Sequence, residues 1–242
     1  MEKWKKIAIS ICAVLVAGYA IFCLSFFSNK NLNSNCKRIE ITFSDSGVRK
    51  FVSEPEMLQF IQRAGFRIEG ETISHKRCHQ IEQQALLHPM IRTACCYMSP
   101  DGTMHLILSQ RIPVLRVLGA DNYYVDSDRK IMRTRSSTAS YVPIVTGKVP
   151  QHLAQGELFD FVSWLRKDDF WSAQITQINV NTANNIELIP RVGNSIILMG
   201  NIDDYEIKLS KLKTLYNDGF SKFGWKEYSY IDLRFKGQVV CR

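Results

Sequence analysis

The sequence predicts an α+β protein carried on a single N-terminal transmembrane helix, and three observations predict it. The stretch Ile7–Phe27, IAISICAVLVAGYAIFCLSFF, holds no charged residue. Between Arg38 and Gln110, strand-like and helix-like patterns follow one another in the order β-α-α-β-β. Beyond Pro113, short strand-like runs separated by turn residues are interrupted by two helical stretches, which reads as a mostly antiparallel β domain with two helices. The expected organisation is a tail at 1–6, a membrane helix at 7–27, a linker at 28–37, a first domain at 38–112 and a second at 113–242.

The membrane helix is read from length and flanks. About 20 apolar residues rising 1.5 Å each cross a hydrocarbon core of about 30 Å. A secretory signal peptide has an apolar core of only about 7–15 residues followed by a small-x-small cleavage site. Here CLSFFSNKN offers no such site, so an uncleaved anchor is expected. Lys3, Lys5 and Lys6 crowd the N-terminal flank, whereas only Lys30 precedes Lys37 on the other side. Basic residues beside a span favour the cytoplasmic face. The N-terminus is therefore expected inside, with everything after Phe27 outside the cytoplasm.

Charge and cysteines bound the function. The net charge of +8 is spread among acids, with no basic stripe interleaved with aromatics, which argues against nucleic acid. A solvated basic surface is the plainest reading; anionic lipid or wall polymer would be the next counter-charge. Cys12 and Cys23 fall in the apolar run, leaving Cys36, Cys78, Cys95, Cys96 and Cys241 in the exported part. An odd number cannot pair completely. Free buried thiols are the simpler reading, with one bridge from Cys78 to Cys95 or Cys96 left open.

In chain order, SNKNLNSNCK reads as a polar tether and RIEITF (Arg38–Phe43) alternates as a half-buried strand. Ser53-Glu54-Pro55-Glu56 carries the signature of a capping box, and Gly65 ends the helix it starts. Ser74 caps a second helix whose stripe is Cys78, Ile81, Ala85 and Leu86, stopped by Pro89. Ile91–Met98 and Met104–Gln110 flank a turn with Asp101-Gly102, a hairpin signal. In the second half, strands are expected at Tyr123–Val125, Tyr141–Val145, Ile175–Val180, Ile186–Ile189, Ser195–Leu198, Tyr228–Arg234 and Gln238–Cys241. Helices are expected at about Leu153–Lys167 and Tyr205–Asn217, and Asn184-Asn185 and Val192-Gly193-Asn194 read as turns. Arg133–Ser140, RTRSSTAS, reads as an exposed loop.

Catalytic chemistry is not evident. His75 and His79 share a helix face without a third ligand, and Asp126-Ser127-Asp128 lacks the rest of a calcium loop. Gly147-Lys148 lacks the flanking residues of a phosphate loop, and there is no Gly-x-Ser-x-Gly or Cys-x-x-Cys. Asp168-Asp169 reads as a solvated helix end rather than a pair of catalytic carboxylates. No enzyme, cofactor or metal is expected. What the chain offers is edges: unpaired strands template another chain's strand. In the C-terminal segment, Gly237 permits close backbone approach, Val239-Val240 is a β-branched pair, and Arg234 and Phe235 are placed as charged and aromatic anchors. Phe235 reads equally as a core residue.

The fragments also resemble a family. HPMIRTACCYMSPDGTMHLILSQRIPVLRV, closing the β-α-α-β-β unit, is similar to the POTRA domain of the bacterial division proteins FtsQ/DivIB, with Pro89, Ile91, Ala94, Pro100, Gly102, Thr103, Arg111 and Pro113 in matching places. Gln110 stands where the family more often has Glu. Tyr123-Tyr124-Val125-Asp126 resembles the family's y-y-l-D-x-x-G, with Arg129-Lys130 where glycine is usual. Val142–Gly147 resembles l-P-x-l-x-G, and Ile196–Gly200 followed by Lys208, Leu209, Leu212 and Leu215 resembles i-x-l-G … K-l-x-x-l. Tyr230–Val240, YIDLRFKGQVV, resembles y-i-D-L-R-f-x-g-q-v-v. The resemblance implies a bitopic, non-enzymatic scaffold in the inner membrane at the division septum, linking early and late division proteins. It further implies that the C-terminal strand, with Tyr230, Arg234, Phe235, Gly237, Val239 and Val240, binds an FtsB/DivIC–FtsL pair. The stretch with Gln110, Arg111 and Pro113 matches a recruitment region, through which the POTRA domain would meet upstream division proteins. The alternatives are a POTRA-containing polypeptide-binding factor for envelope protein assembly or secretion, and a membrane-anchored wall enzyme.

Overall fold

The computed structural model describes residues 4, 14–23, 34–45, 51–119, 121–133, 140–182, 185–220, 224 and 228–242. Residues 14–23 are helical (α1), and Val14, Leu15, Val16, Tyr19, Ile21 and Phe22 are all exposed. Among the described residues no helix is long and apolar enough to cross a membrane. The rest of the Ile7–Phe27 run, its flanking lysines, most of the RTRSSTAS loop and Asn184 lie outside the described residues.

The remainder forms two compact units. The first includes Glu54–Leu87 and Thr93–Leu108; the second includes Asp45–Ser53, His88–Arg92 and Ser109–Arg242. The first unit begins with β1 (Ser34–Asn35), which pairs antiparallel with β3 (Thr72–Ile73). Cys36 is buried, its N–H donating to Glu71 O at 2.9 Å, and Lys37 N donates to Gly102 O at 2.8 Å. The last residues of the expected tether, 34–37, are thus built into the domain: once their N–H groups find strand partners, a polar composition does not keep them free.

β2 (Arg38–Phe43) then lies parallel to β5 (Thr103–Gln110), and β4 (Ile91–Met98) completes a three-stranded sheet in the order β2-β5-β4. A parallel pair needs a long crossover. It is supplied by α2 (Glu54–Arg63) and α3 (His75–Leu86). α2 starts directly after Ser53, with Glu54 and Glu56 in its first turn and Arg63 in its last, each complementing the helix dipole. Ser74 caps α3, its Oγ accepting from Arg77 N at 3.3 Å. Met57 and Ile61 of α2, and Cys78, Ile81 and Ala85 of α3, are buried, as are Met104, Leu106 and Leu108 of β5.

The second unit is built on a nine-stranded sheet in the order β14-β13-β12-β11-β10-β9-β6-β7-β8. Its strands are β6 (Pro113–Leu118), β7 (Tyr123–Asp126), β8 (Ile131–Met132), β9 (Ile144–Gly147), β10 (Ile175–Thr182), β11 (Asn185–Pro190), β12 (Ile196–Gly200), β13 (Tyr230–Asp232) and β14 (Val240–Cys241). Neighbours are antiparallel except at β6–β9, β9–β10 and β12–β13, so the sheet is mixed. The two expected helices become more. A break at Gly156, whose backbone leaves the helical region at φ −103° and ψ −118°, divides the first into α4 (Gln151–Gln155) and α5 (Glu157–Lys167), and a Cβ there would stand 2.8 Å from His152 O. α6 (Asp169–Gln174) is added, capped by Asp168, which accepts from Phe170 N at 2.9 Å and Trp171 N at 3.2 Å. α7 (Tyr205–Thr214) runs on into a π turn at Leu215–Gly219. Phe161, Trp171, Ile178, Leu188, Ile197 and Leu212 are among the fully buried residues joining helices and sheet in one core.

Candidate partner-binding surface

The C-terminal segment folds as a hairpin at one edge of the nine-stranded sheet. β13 pairs parallel with β12, from Ile196↔Tyr230 to Leu198↔Asp232. β14 then turns back on β13, with Ile231↔Cys241 and Asp232↔Val240 in register. The backbone of Arg242 extends the pairing, exchanging bonds of 3.0 and 2.9 Å with Tyr230. β14 has no strand on its outer side, and Val240 and Cys241 are half-buried. The contact segment is therefore two short strands and a turn rather than one long strand.

The turn carries the exposed groups. Ile231, Asp232 and Leu233 are buried, whereas Arg234 through Gln238 are exposed. Phe235 is 42% exposed, which excludes a role as a core residue only. Gly237 has φ +82°, a left-handed turn conformation that glycine adopts without strain, and no atom lies within 4 Å of where its Cβ would stand. Tyr230 is 44% exposed.

Asp232 organises this turn from below. Its carboxylate accepts from Arg234 Nε at 2.8 Å, Arg234 Nη2 at 2.6 Å and the Arg234 amide at 3.1 Å. The guanidinium bonds hold the Asp232 pKa below the ordinary carboxylate value, and Asp232 in turn raises that of Arg234. Gly200 makes room for this arrangement: at φ +73°, a Cβ on it would meet Arg234 Cγ at 2.9 Å.

Beside the turn lies a groove of about 720 Å³ between α7 and Leu233–Gly237. Ile207, 58% exposed, lies along it on the helix side together with Lys208 and Lys211. Lys208 Nζ donates to Asn201 Oδ1 at 2.7 Å, Asn201 O at 2.9 Å and Met199 O at 3.3 Å. Burial depresses its pKa. Sequence reasoning placed α7 but not its wall of this groove. Its three contributions are at positions 207, 208 and 211, a helical spacing, and the exposed Ile207 was the available signal.

The second set of expected contacts is placed differently. Gln110 is 1% exposed: its Oε1 accepts from Phe51 N at 2.7 Å and Val52 N at 3.2 Å, and its amide donates to Asp45 Oδ2 at 2.6 Å. Arg111 donates to Asp126 Oδ2 at 2.6 Å, with only 16% of its side chain exposed. Pro113 is buried. None of the three presents an open side chain; they hold backbone in place. A glutamine oxygen facing two amides needs no charge, which is the physical reason Gln suffices at 110. Among the described residues, no group of His, Cys, Asp and Glu is arranged to hold a metal; His79 faces Glu82 at 3.2 Å on an exposed helix.

The architecture is a small βαβ-type unit with a three-stranded sheet, followed by a mixed β domain that ends in a C-terminal hairpin at the sheet edge. The comparisons give the family. Residues 34–109 match a POTRA-like domain model, and residues 112–242 match the model for FtsQ/DivIB, C-terminal related. The chain belongs to the FtsQ/DivIB family of cell-division proteins, a family of non-enzymatic division scaffolds. No curated protein matches it.

Proposed function

We propose that this protein is a divisome scaffold that joins early to late division proteins at the septum, binding an FtsB/DivIC–FtsL type complex through its C-terminal hairpin. The observation that carries the reading is the exposed Phe235 beside an open strand edge and a groove. Strand addition along β14 supplies a few hydrogen bonds of about 1 kcal/mol each. Association costs at least about 4 kcal/mol. The groove makes up the difference by taking apolar side chains of the partner against Phe235 and Ile207. The exposed apolar side chains of α1 support a single membrane span over 7–27, and the lysines at 3, 5 and 6 in the sequence favour the N-terminus inside. In the proposed recruitment of upstream proteins by the POTRA domain, Gln110, Arg111 and Pro113 shape the supporting backbone.

The test is in-cell crosslinking from a photoreactive residue at position 235. Capture of small coiled-coil membrane proteins of the division machinery supports the reading, and capture of unrelated client polypeptides moves it to envelope protein assembly. In parallel, Phe235→Ala with Gly237→Asp should abolish partner binding while the protein stays folded; undiminished binding would remove the hairpin as the site.

A further inference from the structure

Three arginines of the second domain meet a carboxylate on another element: Arg92 meets Asp128, Arg111 meets Asp126 and Arg129 meets Asp160. Three others do not. Arg116 on β6, Arg166 at the end of α5 and Arg191 just after β11 line a single groove of about 460 Å³ at one end of the sheet. Among the described residues no Asp or Glu lines that groove, and none of the three arginines forms an ion pair. Each is held by a neutral partner instead. Arg166 donates from Nη1 to Pro113 O at 3.1 Å and Val114 O at 3.4 Å. Arg191 donates to the Tyr141 hydroxyl, and Arg116 lies over the Tyr124 ring at 5.3 Å.

Three arginines line this one concavity, and an opposite charge entering it would be held more strongly against a low-dielectric wall than in open water. Sequence-distant elements converge on it: β6, β9 and β10 lie side by side here, with Arg116↔Ile144 and Ile144↔Gln177 in register. The fold therefore brings together positive charge that no described residue of its lining neutralises. Guanidinium forks match carboxylates bidentately, so the missing component is an anion of that geometry. The rest of the lining mixes apolar and aromatic residues, Tyr141, Pro143 and Ile175 among them, with the hydroxyls of Ser140, Ser172 and Thr176. Tyr141 is 81% exposed and stands ready as a contact. A concave groove of this size accommodates one or two side chains, whereas a membrane surface needs a flat or protruding face.

We propose that this groove is a second docking site, which takes an acidic peptide segment of a protein partner, glutamate or aspartate interleaved with apolar residues. It shares no lining residue with the C-terminal hairpin groove, so the two sites stand or fall separately.

The test uses the full chain in neutral-lipid nanodiscs and a fluorescein-labelled decapeptide carrying three glutamates interleaved with leucine and proline, read by anisotropy. Saturable binding is expected, weakened about tenfold or more when the three glutamates become glutamine. Arg116→Gln and Arg191→Gln should each weaken it about fivefold or more while the thermal midpoint stays unchanged. Arg166→Gln is left aside because Arg166 also braces the Pro113 and Val114 carbonyls. Equal affinity for the glutamine peptide, or binding indifferent to Arg116→Gln and Arg191→Gln, overturns the proposal. Absence of peptide binding together with arginine-dependent binding of phosphatidylglycerol vesicles assigns the groove to lipid phosphate and overturns it as well.

Discussion

Replacing Asp232 by Asn tests how the C-terminal turn is held. Asp232 is 1% exposed and takes three bonds from Arg234, two of them from the guanidinium at 2.8 and 2.6 Å. Asparagine keeps the shape and one acceptor oxygen but removes the charge. Hydrogen bonds to charged groups are worth about 1.5–3 kcal/mol. The Arg234 side chain is 49% exposed, so solvent screens part of the interaction. A net loss of about 2 kcal/mol follows. For a domain of this size each kcal/mol shifts the midpoint by about 2–4 °C, so the transition that includes the nine-stranded sheet should fall by about 4–8 °C in a thermal scan followed by circular dichroism. The pH dependence has a definite sign. The folded-state pKa of Asp232 is depressed, so its stabilisation is present above the unfolded value of about 3.9 and is lost as pH falls through the folded value. The gap between wild type and Asp232→Asn should therefore be full at pH 7 and shrink below about pH 4. Equal midpoints at pH 7, or a gap that persists undiminished far below pH 4, would refute the reasoning.

Two further outcomes are expected. Arg129 stands at φ +60°, a region costing a non-glycine residue about 1 kcal/mol or more, yet it binds Asp160 at 2.5 Å and lies over the Phe159 ring at 4.5 Å. Arg129→Gly should stay within about 1 kcal/mol of wild type, whereas Arg129→Ala keeps the strain, loses the contacts and should be the less stable in urea unfolding; Ala equal to Gly would refute this. Among the thiols of the first domain, Cys95 is exposed, whereas Cys36, Cys78 and Cys96 are buried and burial raises their pKa values. Maleimide should therefore modify Cys95 first under native conditions, as read by peptide mapping, and early modification of Cys78 or Cys96 would contradict the packing.

Much of the fold was legible because local chemistry and tertiary packing agree. Ile91–Met98 and the turn at Asp101-Gly102 fall where alternation and turn chemistry put them, and Ser74 caps its helix as expected. The departures have physical causes. β6, PVLRVL, reads as no strand because five of its six residues are apolar and four are buried, which leaves no alternation to detect. The break at Gly156 rests on a backbone conformation in which a side chain would crowd His152 O, and that crowding exists only once the helix before it has formed. The departure of Arg129 from the family's glycine was visible, and its left-handed backbone shows what that glycine position demands. At the surface, Phe235 could be named but not placed, since core and anchor phenylalanines look alike in sequence. The arginine groove was invisible: Arg116, Arg166 and Arg191 meet only through the crossing of β6, β9 and β10.

That crossing has a mechanical meaning. The sheet is two antiparallel meanders, β8-β7-β6 and β10-β11-β12, stitched together by the four-residue strand β9. One seam holds the pairs from Arg116↔Ile144 to Leu118↔Thr146, and the other the pairs from Gln177↔Ile144 to Val180↔Gly147. Tension entering at β6 and leaving through the C-terminal edge must pass across both seams. Beyond them the same path crosses the three-residue strand β13, joined to β12 by only three register pairs, so the C-terminal edge and not β9 is the thinnest link in the sheet.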